Sequence, residues 1–423
     1  MAFRHPRPHA EKPSGIAPEI APFLYDAIGQ AITDKLSIRT MESQIHHAFS
    51  TMIHNYQTSG SKSLRTLTDW TKPSYQLAYI YIYFVMHACV TYHVAETEMC
   101  AFLPDDLSRR DSINVCSIGG GPGSDVAGLL FFLHIHYPNC RQLKVIVCDI
   151  YPEWSYAWKA VLNHLPKDLR AKVKVTYVHF DMLKTSGPLS TPVLDAVQYA
   201  DIVMFVKSLS PVDAVMFHGD RTLASTLQHI FLHLKTDAVV LSINNSGLTN
   251  RKKYVPFLTI AHDTAGLKIE RQRMLTKEAA YLPPYFDISS FSTLVSDHFR
   301  PWRPMQRLDA YVAILKRHSR KDPTLAEDDI MHNPWERLEE VYDDFLPILL
   351  ERWRQQDDED KKNSTDQQAG DDSDFDVESD TECELELATA AAVYKLRRCK
   401  VCQDYGHSTQ QCRESTRQHV YIR

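Results

Sequence analysis

From Ile113 to Leu315 the chain alternates short β-branched runs with helix-length segments, and this alternation restricts its fold more than any other feature. Seven runs read as strands: Ile113 to Ile118, Lys144 to Cys148, Val173 to Val178, Asp201 to Val206, Ala238 to Ile243, Leu267 to Met274 and Leu308 to Leu315. Ser124 to His136, Glu153 to Leu165 and Arg221 to Leu234 have helical length and spacing and separate the earlier strands. Parallel strands need such crossovers, so the pattern predicts an α/β fold, a seven-stranded mostly parallel sheet with helices on both faces.

The flanks divide by composition. Residues 1–22 carry Pro6, Pro8, Pro13 and Pro18 among polar neighbours and read as a flexible lead-in. Residues 23–106 read as a helical N-terminal subdomain, because Ala78, Ile82, Val85, Met86 and Cys89 would share one face, although Tyr79, Tyr81 and Tyr83 also permit a strand. The sheet domain is assigned to 107–318 and a helical extension to 319–355, with His332 to Trp353 as its helix. Residues 356–387 form an acidic linker: fourteen acids face two lysines between Asp357 and Glu386, a composition that repels itself and predicts disorder. The last 29 residues carry seven Arg or Lys against two acids. The formal charge of -6 therefore averages an acidic tether, a basic end and a near-neutral remainder.

Met1-Ala-Phe-Arg-His-Pro has no apolar core of a signal peptide, and the longest apolar candidate for a membrane span, Ala78 to Val94, is interrupted by histidines and tyrosines. The expectation is an intracellular protein without a membrane span, nucleus and cytoplasm both remaining open. Five of the nine cysteines (Cys89, Cys100, Cys116, Cys140, Cys148) lie in apolar surroundings that suit buried, reduced thiols.

The first strand runs into Gly119-Gly-Gly121-Pro-Gly123, flanked by Ser117 and Asp125, and then into an apolar helix. Glycines there allow positive φ and leave no Cβ between the turn and a ligand. The next strand ends at Asp149-Ile150, a carboxylate placed to accept hydrogen bonds from ribose hydroxyls, and the third runs into Asp181-Met182 at the same end of the sheet. These residues resemble the cofactor motifs of class I S-adenosylmethionine-dependent methyltransferases, a Rossmann-like family, over roughly 107–317. The resemblance implies that Gly119, Gly121 and Gly123 approach the methionine portion of S-adenosylmethionine, that Asp149 holds its ribose and that Asp181 faces its adenine. Ser117, Asp125, Ile150 and Met182 are counted with these cofactor residues. The competing dinucleotide-binding pattern, GxGxxG, is not met, since Ser124 stands where its third glycine would be.

The fourth strand leads into Lys207-Ser208-Leu-Ser-Pro, where this family places its acceptor-specific residues. The Asn/Asp-Pro-Pro-aromatic signature of adenine amino methylation is missing, and no Pro-Cys pair supplies a cysteine nucleophile. Direct transfer to a nitrogen or oxygen is the expectation, with Lys207 and Ser208 best placed for a direct role; a solvated lysine at a strand end is the plainer alternative. A domain that keeps the cofactor pocket without methylating anything, and a protein or small-molecule methyltransferase, also stay open. The string Ser117 to Asp125 is also similar to the glycine motif of a eukaryotic group of ribosomal RNA methyltransferases acting on uracil nitrogen.

Near the end of the chain, Cys399, Cys402, His407 and Cys412 have the spacing C-x2-C-x4-H-x4-C, three thiolates and an imidazole that complete a tetrahedral zinc shell. The segment, assigned to 395–415, resembles a zinc knuckle, a family whose common partner is single-stranded RNA or DNA. Lys395, Arg397, Arg398, Lys400, Arg413 and Arg417 surround it, and Tyr405 could stack on a base. A zinc clip that binds a protein is the alternative, and the acidic linker offers a second surface for a protein partner. Three further features carry plainer readings: His229 and His233 as packing histidines, Arg251 to Tyr254 as a solvated basic loop or a phosphate contact, and the tyrosines at 75, 79, 81 and 83 as core or as a lid over the cofactor.

Overall fold

The computed structural model describes residues 20–35, 44–52, 68–185, 188–209, 221–245, 257–264, 266–275, 305, 308 and 310–318. The helical extension, the acidic linker, the knuckle and the basic segment 251–254 lie outside them. The sheet has seven strands: β1 (Ser112–Ile118), β2 (Gln142–Asp149), β3 (Val173–His179), β4 (Ile202–Val206), β5 (Val239–Asn245), β6 (Leu267–Leu275) and β7 (Ala310–Arg317). Their order is β3-β2-β1-β4-β5-β7-β6, parallel throughout except that β7 runs antiparallel to both β5 and β6. This is the expected seven-stranded, mostly parallel Rossmann-like sheet, with strand boundaries within two residues of those read from the sequence.

Among the described residues, five α-helices accompany the sheet, α4 (Ser124–His136), α5 (Trp154–Leu162), α6 (Lys167–Lys172), α7 (Thr191–Gln198) and α8 (Arg221–Leu232), with a short π-helix at Ile260–Thr264. Before it come α1 (Ala21–Lys35), α2 (44–52) and α3 (Pro73–Val94). Helix α1 starts inside the segment expected to be a flexible lead-in, and Ile20 and Ala21 are buried. The tyrosine run of α3 adopts the helical alternative. The single apolar face expected for α3 understates it, because eighteen of its residues are buried, from Ser74 to Val94.

That burial has a cause. Helix α4 is apolar all round, so a sheet on one side leaves its other side needing cover, which α3 supplies. The close approach is made at Gly128, where a Cβ would stand 2.1 Å from the carbonyl oxygen of Ala88. Helix α1 packs on α3 and α5, and one continuous core runs from Ile20 through the sheet to Ile314. By length and composition, the helical stretch Pro73–Phe102 is apolar enough to cross a membrane, with mean hydropathy 1.3; 83% of that window is buried within the protein, as in a core helix. Of the five cysteines expected to be buried, Cys100 is the exception: it is exposed in a short helical turn, its Sγ donating to the Glu96 carbonyl.

Two ion clusters fix the frame, one at the end of the sheet opposite the glycine turn and one against the edge strand β6. Asp201, buried at the start of β4, is bonded by Arg110 and Lys235 and accepts from the Asn114 backbone N–H at 2.7 Å. Glu98, beyond α3, is buried between Arg271 and Arg273 of β6. A buried carboxylate without such partners would carry its full desolvation cost, so both clusters tie distant segments together.

Candidate cofactor and acceptor site

In an open α/β sheet, ligands bind beyond the carboxyl ends of the strands, at the point where the order of connection reverses. Here that point lies between β1 and β4, and the glycine turn follows β1. Gly119, Gly121 and Gly123 have φ of +67°, +49° and +79°, conformations that an L side chain rarely adopts. The turn is tight on its inner side as well. A Cβ on Gly119 would fall 2.5 Å from Ser208 Cβ, and one on Gly123 2.8 Å from the Trp158 ring. The glycines therefore serve the seating of the turn on its neighbours as much as its openness to a ligand.

Ser117 and Asp125, grouped with the cofactor residues on sequence, lie beneath the turn. The Ser117 hydroxyl donates to Asp125 Oδ2 at 2.5 Å, and both residues are buried. Burial pushes the Asp125 carboxyl up to about 6, against the opposing hydrogen bond from Ser117. Asp149, buried at the end of β2, is bonded to the turn. Its Oδ2 accepts from the Gly121 N–H and its Oδ1 from the Tyr151 N–H, each at 2.9 Å, leaving further lone pairs for a diol. Burial raises its carboxyl to about 6 too, partly countered by those backbone N–H groups.

Beyond Asp149 opens a cavity of about 470 Å³ bordered by Ile150, His179, Phe180, Asp181, Lys184 and Thr185. Asp181 is held by the Leu183 N–H at 3.1 Å and faces the Lys184 ammonium at 3.9 Å. Met182 acts through its backbone: its carbonyl, with that of Thr185, accepts from the Thr226 hydroxyl on α8, which fastens the loop carrying Asp181. The cavity volume is enough for an adenosine-sized group, with the Asp181 carboxylate among its lining.

The other side of the switch point is Lys207-Ser208. Ser208 is buried against Gly119, and its Oγ has no hydrogen-bond partner among the described residues, which is unusual for a buried hydroxyl. Lys207 has φ +57°, a costly conformation for a residue with a side chain, fixed by its N–H bonding to Ile243 at 2.7 Å and its ammonium bonding to Asn245 Oδ1. The expected pair is thus brought together with the glycine turn, and Lys207 is held rather than free in solvent.

Tyr79 and Tyr83, read from the sequence as core or as a lid, pack in an aromatic wall whose other members, His87, Trp70 and Trp154, sequence reasoning missed. His87 of α3 is buried, and its ring is kept neutral, down to about 3, by burial and then by the nearby Lys207 charge. Tyr83 stacks on it at 5.6 Å, Tyr79 lies 5.0 Å from Tyr83, and Trp70 and Trp154 pack on Tyr79 at 5.5 and 5.7 Å. Trp154 in turn borders Gly121, whose Cβ would lie 3.9 Å from its Nε1. The only sequence signal was the Tyr79-Tyr83-His87 spacing of four, which reads equally as core. His229 and His233 stack on each other at 6.3 Å, and no cluster of three metal-ligating side chains occurs among the described residues. Cys399, Cys402, His407 and Cys412 lie outside those residues.

The two raised carboxyls set a pH dependence. Because their folded values stand above the ordinary carboxylate value, they favour the folded state most at low pH, and that contribution is lost as pH rises through about 6. Ligand hydroxyls donating to Asp149 need its charged form, so affinity runs the other way. Titration calorimetry with S-adenosylhomocysteine is expected to show affinity falling about tenfold from pH 7.5 to pH 5 while thermal stability of the unliganded protein does not fall in step; a flat affinity profile would remove Asp149 from the contact.

No family model matches the chain, and no curated protein sequence matches it. Among solved structures it is similar to an S-adenosylmethionine-dependent methyltransferase of Methanosarcina mazei (14% identity, TM-score 0.31, covering 49% of this chain and 94% of that one). It is also similar to the N-methyltransferase NodS of Bradyrhizobium japonicum (12%, TM-score 0.30, 54% and 98%) and to human N-acetylserotonin methyltransferase (14%, TM-score 0.30, 64% and 66%).

Proposed function

We propose that this chain is an S-adenosylmethionine-dependent methyltransferase that acts by direct displacement on a nitrogen or oxygen of RNA. The observation that carries the reading is the switch point itself: a left-handed glycine turn seated on Ser208 and bonded to the Asp149 carboxylate, with a cavity bordered by Ile150 and Asp181 next along the chain. When bound, S-adenosylmethionine supplies a methyl group on a positively charged sulfur, open to displacement by an acceptor lone pair. Asp149 takes the ribose hydroxyls, and Asp181 with Ile150 borders the base. Ser208 offers its buried hydroxyl beside Gly119. Lys207, held by Asn245, sets the charge next to the acceptor. Positioning of this kind can supply a large part of a rate enhancement without a covalent intermediate.

RNA enters through the far end of the chain. Cys399, Cys402, His407 and Cys412 would hold zinc, and the surrounding arginines and lysines would grip phosphates of a single strand. The acidic linker then acts as a tether of roughly 30 to 40 Å root-mean-square reach. Tritium from labelled S-adenosylmethionine is expected in the RNA fraction of a total extract; label in protein or small molecules alone, or in nothing, overturns the RNA reading. Cys402→Ser is expected to weaken RNA binding with cofactor affinity unchanged, and equal RNA affinity would remove the knuckle from that role.

A further inference from the structure

Helix α8 carries a buried hydroxyl that core packing does not require. Its inward side reads Leu223, Thr226, Leu227, Ile230 and Phe231, helical spacing for one apolar stripe, and all of them are fully buried. Valine would fill the Thr226 position with nearly the same shape, so the stripe alone has no use for an oxygen there. The use appears in its bonds. Thr226 Oγ1 lies 2.7 Å from the Thr185 carbonyl oxygen, 3.1 Å from that of Met182 and 2.9 Å from that of Thr222 in its own helix. A hydroxyl has one proton to give, so the loop competes with the helix for it, and the shortest contact is to the loop.

That loop borders the cavity: Asp181, Lys184 and Thr185 are among its lining, and the fully buried Thr226 stands behind them. Within the loop the Thr185 hydroxyl donates to the Asp181 carbonyl at 2.8 Å, the Lys184 N–H reaches the same carbonyl at 3.2 Å, and the Leu183 N–H reaches Asp181 Oδ1 at 3.1 Å. The segment is therefore a hydrogen-bonded turn closed on Asp181, and a displacement at Thr185 is passed to Asp181. We infer that Thr226 is a positioning residue for base selection: by holding the Met182 and Thr185 carbonyls it fixes Asp181, and so sets how well the cavity tells an aminopurine from an oxopurine. The inference rests on the cofactor reading of that cavity, in which Asp181 accepts from the adenine amino group. An oxo group in the same place offers no proton and leaves a buried carboxylate unpaired. A carboxylate free to shift reaches the neighbouring ring N–H of the oxopurine instead, and the discrimination is lost.

The test is titration calorimetry on the full chain with two probes, S-adenosylhomocysteine and S-inosylhomocysteine, which differ in an amino or an oxo group on the purine. Wild type is expected to favour the adenosine probe by about a hundredfold, and Thr226→Val to cut that ratio to about tenfold or less. Thr226→Ser keeps the hydroxyl and should hold the ratio within about twofold of wild type. A purely structural role would weaken both probes together; a valine variant with an unchanged ratio therefore overturns the inference. Thr226→Cys, close in size and a weak donor, replaces the valine variant if that does not fold. A wild type that binds S-adenosylhomocysteine without preferring it, or a serine variant that discriminates no better than valine, overturns the role of Thr226 alone. A wild-type chain that fails to bind S-adenosylhomocysteine overturns the cofactor reading and the role of Thr226 with it.

Discussion

Asp149→Ala is expected to weaken S-adenosylmethionine binding by about a hundredfold or more, measured by titration calorimetry, with the α/β fold retained. Two ribose hydroxyls bonded to one carboxylate are charge-assisted contacts of about 1.5 to 3 kcal/mol each, and losing both exceeds the tenfold step of 1.4 kcal/mol. Folding itself should change less. The substitution strips an acceptor from the Gly121 and Tyr151 N–H groups, but it also removes a carboxylate that burial disfavours in its charged form. Asp149→Asn separates the contributions, since the amide keeps one oxygen for the turn and loses the charge. Wild-type affinity in the alanine variant would take Asp149 out of the site.

Gly128→Ala should cost about 3 kcal/mol of stability, read as a lower midpoint in denaturant with an unchanged slope. Two effects compete. Alanine favours a helix over glycine by about 1 kcal/mol. Against that, the new methyl would sit 2.1 Å from the Ala88 carbonyl oxygen and 2.9 Å from its carbon, backbone atoms of a buried helix that can yield only if α3 moves as a whole. The clash should win. A variant as stable as the parent would mean that α3 is not seated on α4 as described.

Much of the sheet was legible because each strand announces itself locally. β-branched runs, a glycine turn after the first of them and acids at the ends of the second and third are patterns within about ten residues, and Asp149 and Asp181 fall where that grammar puts them. Helix α7 was missed although its signals were present, an extended Ser190 followed by Pro192 in the first turn. The aromatic wall is a different matter. Trp70 and Trp154 lie on separate segments, and their ring centroids come within 5.9 Å through the packing of the N-terminal helices on α4 and α5. Nothing local to either tryptophan encodes the meeting. For Ser117 and Asp125, spacing placed them near the glycines, and only the fold shows that their side chains are buried and bonded to each other.

Helix α3 packs differently on its two sides, and the difference sets how each tolerates change. The side bearing Phe84 and Ala88 is sealed and admits no added volume, while Tyr79 and Tyr83 on the other are only half-buried among aromatic rings. Substitutions at the tyrosines should therefore disturb the architecture less than those at Phe84 or Ala88.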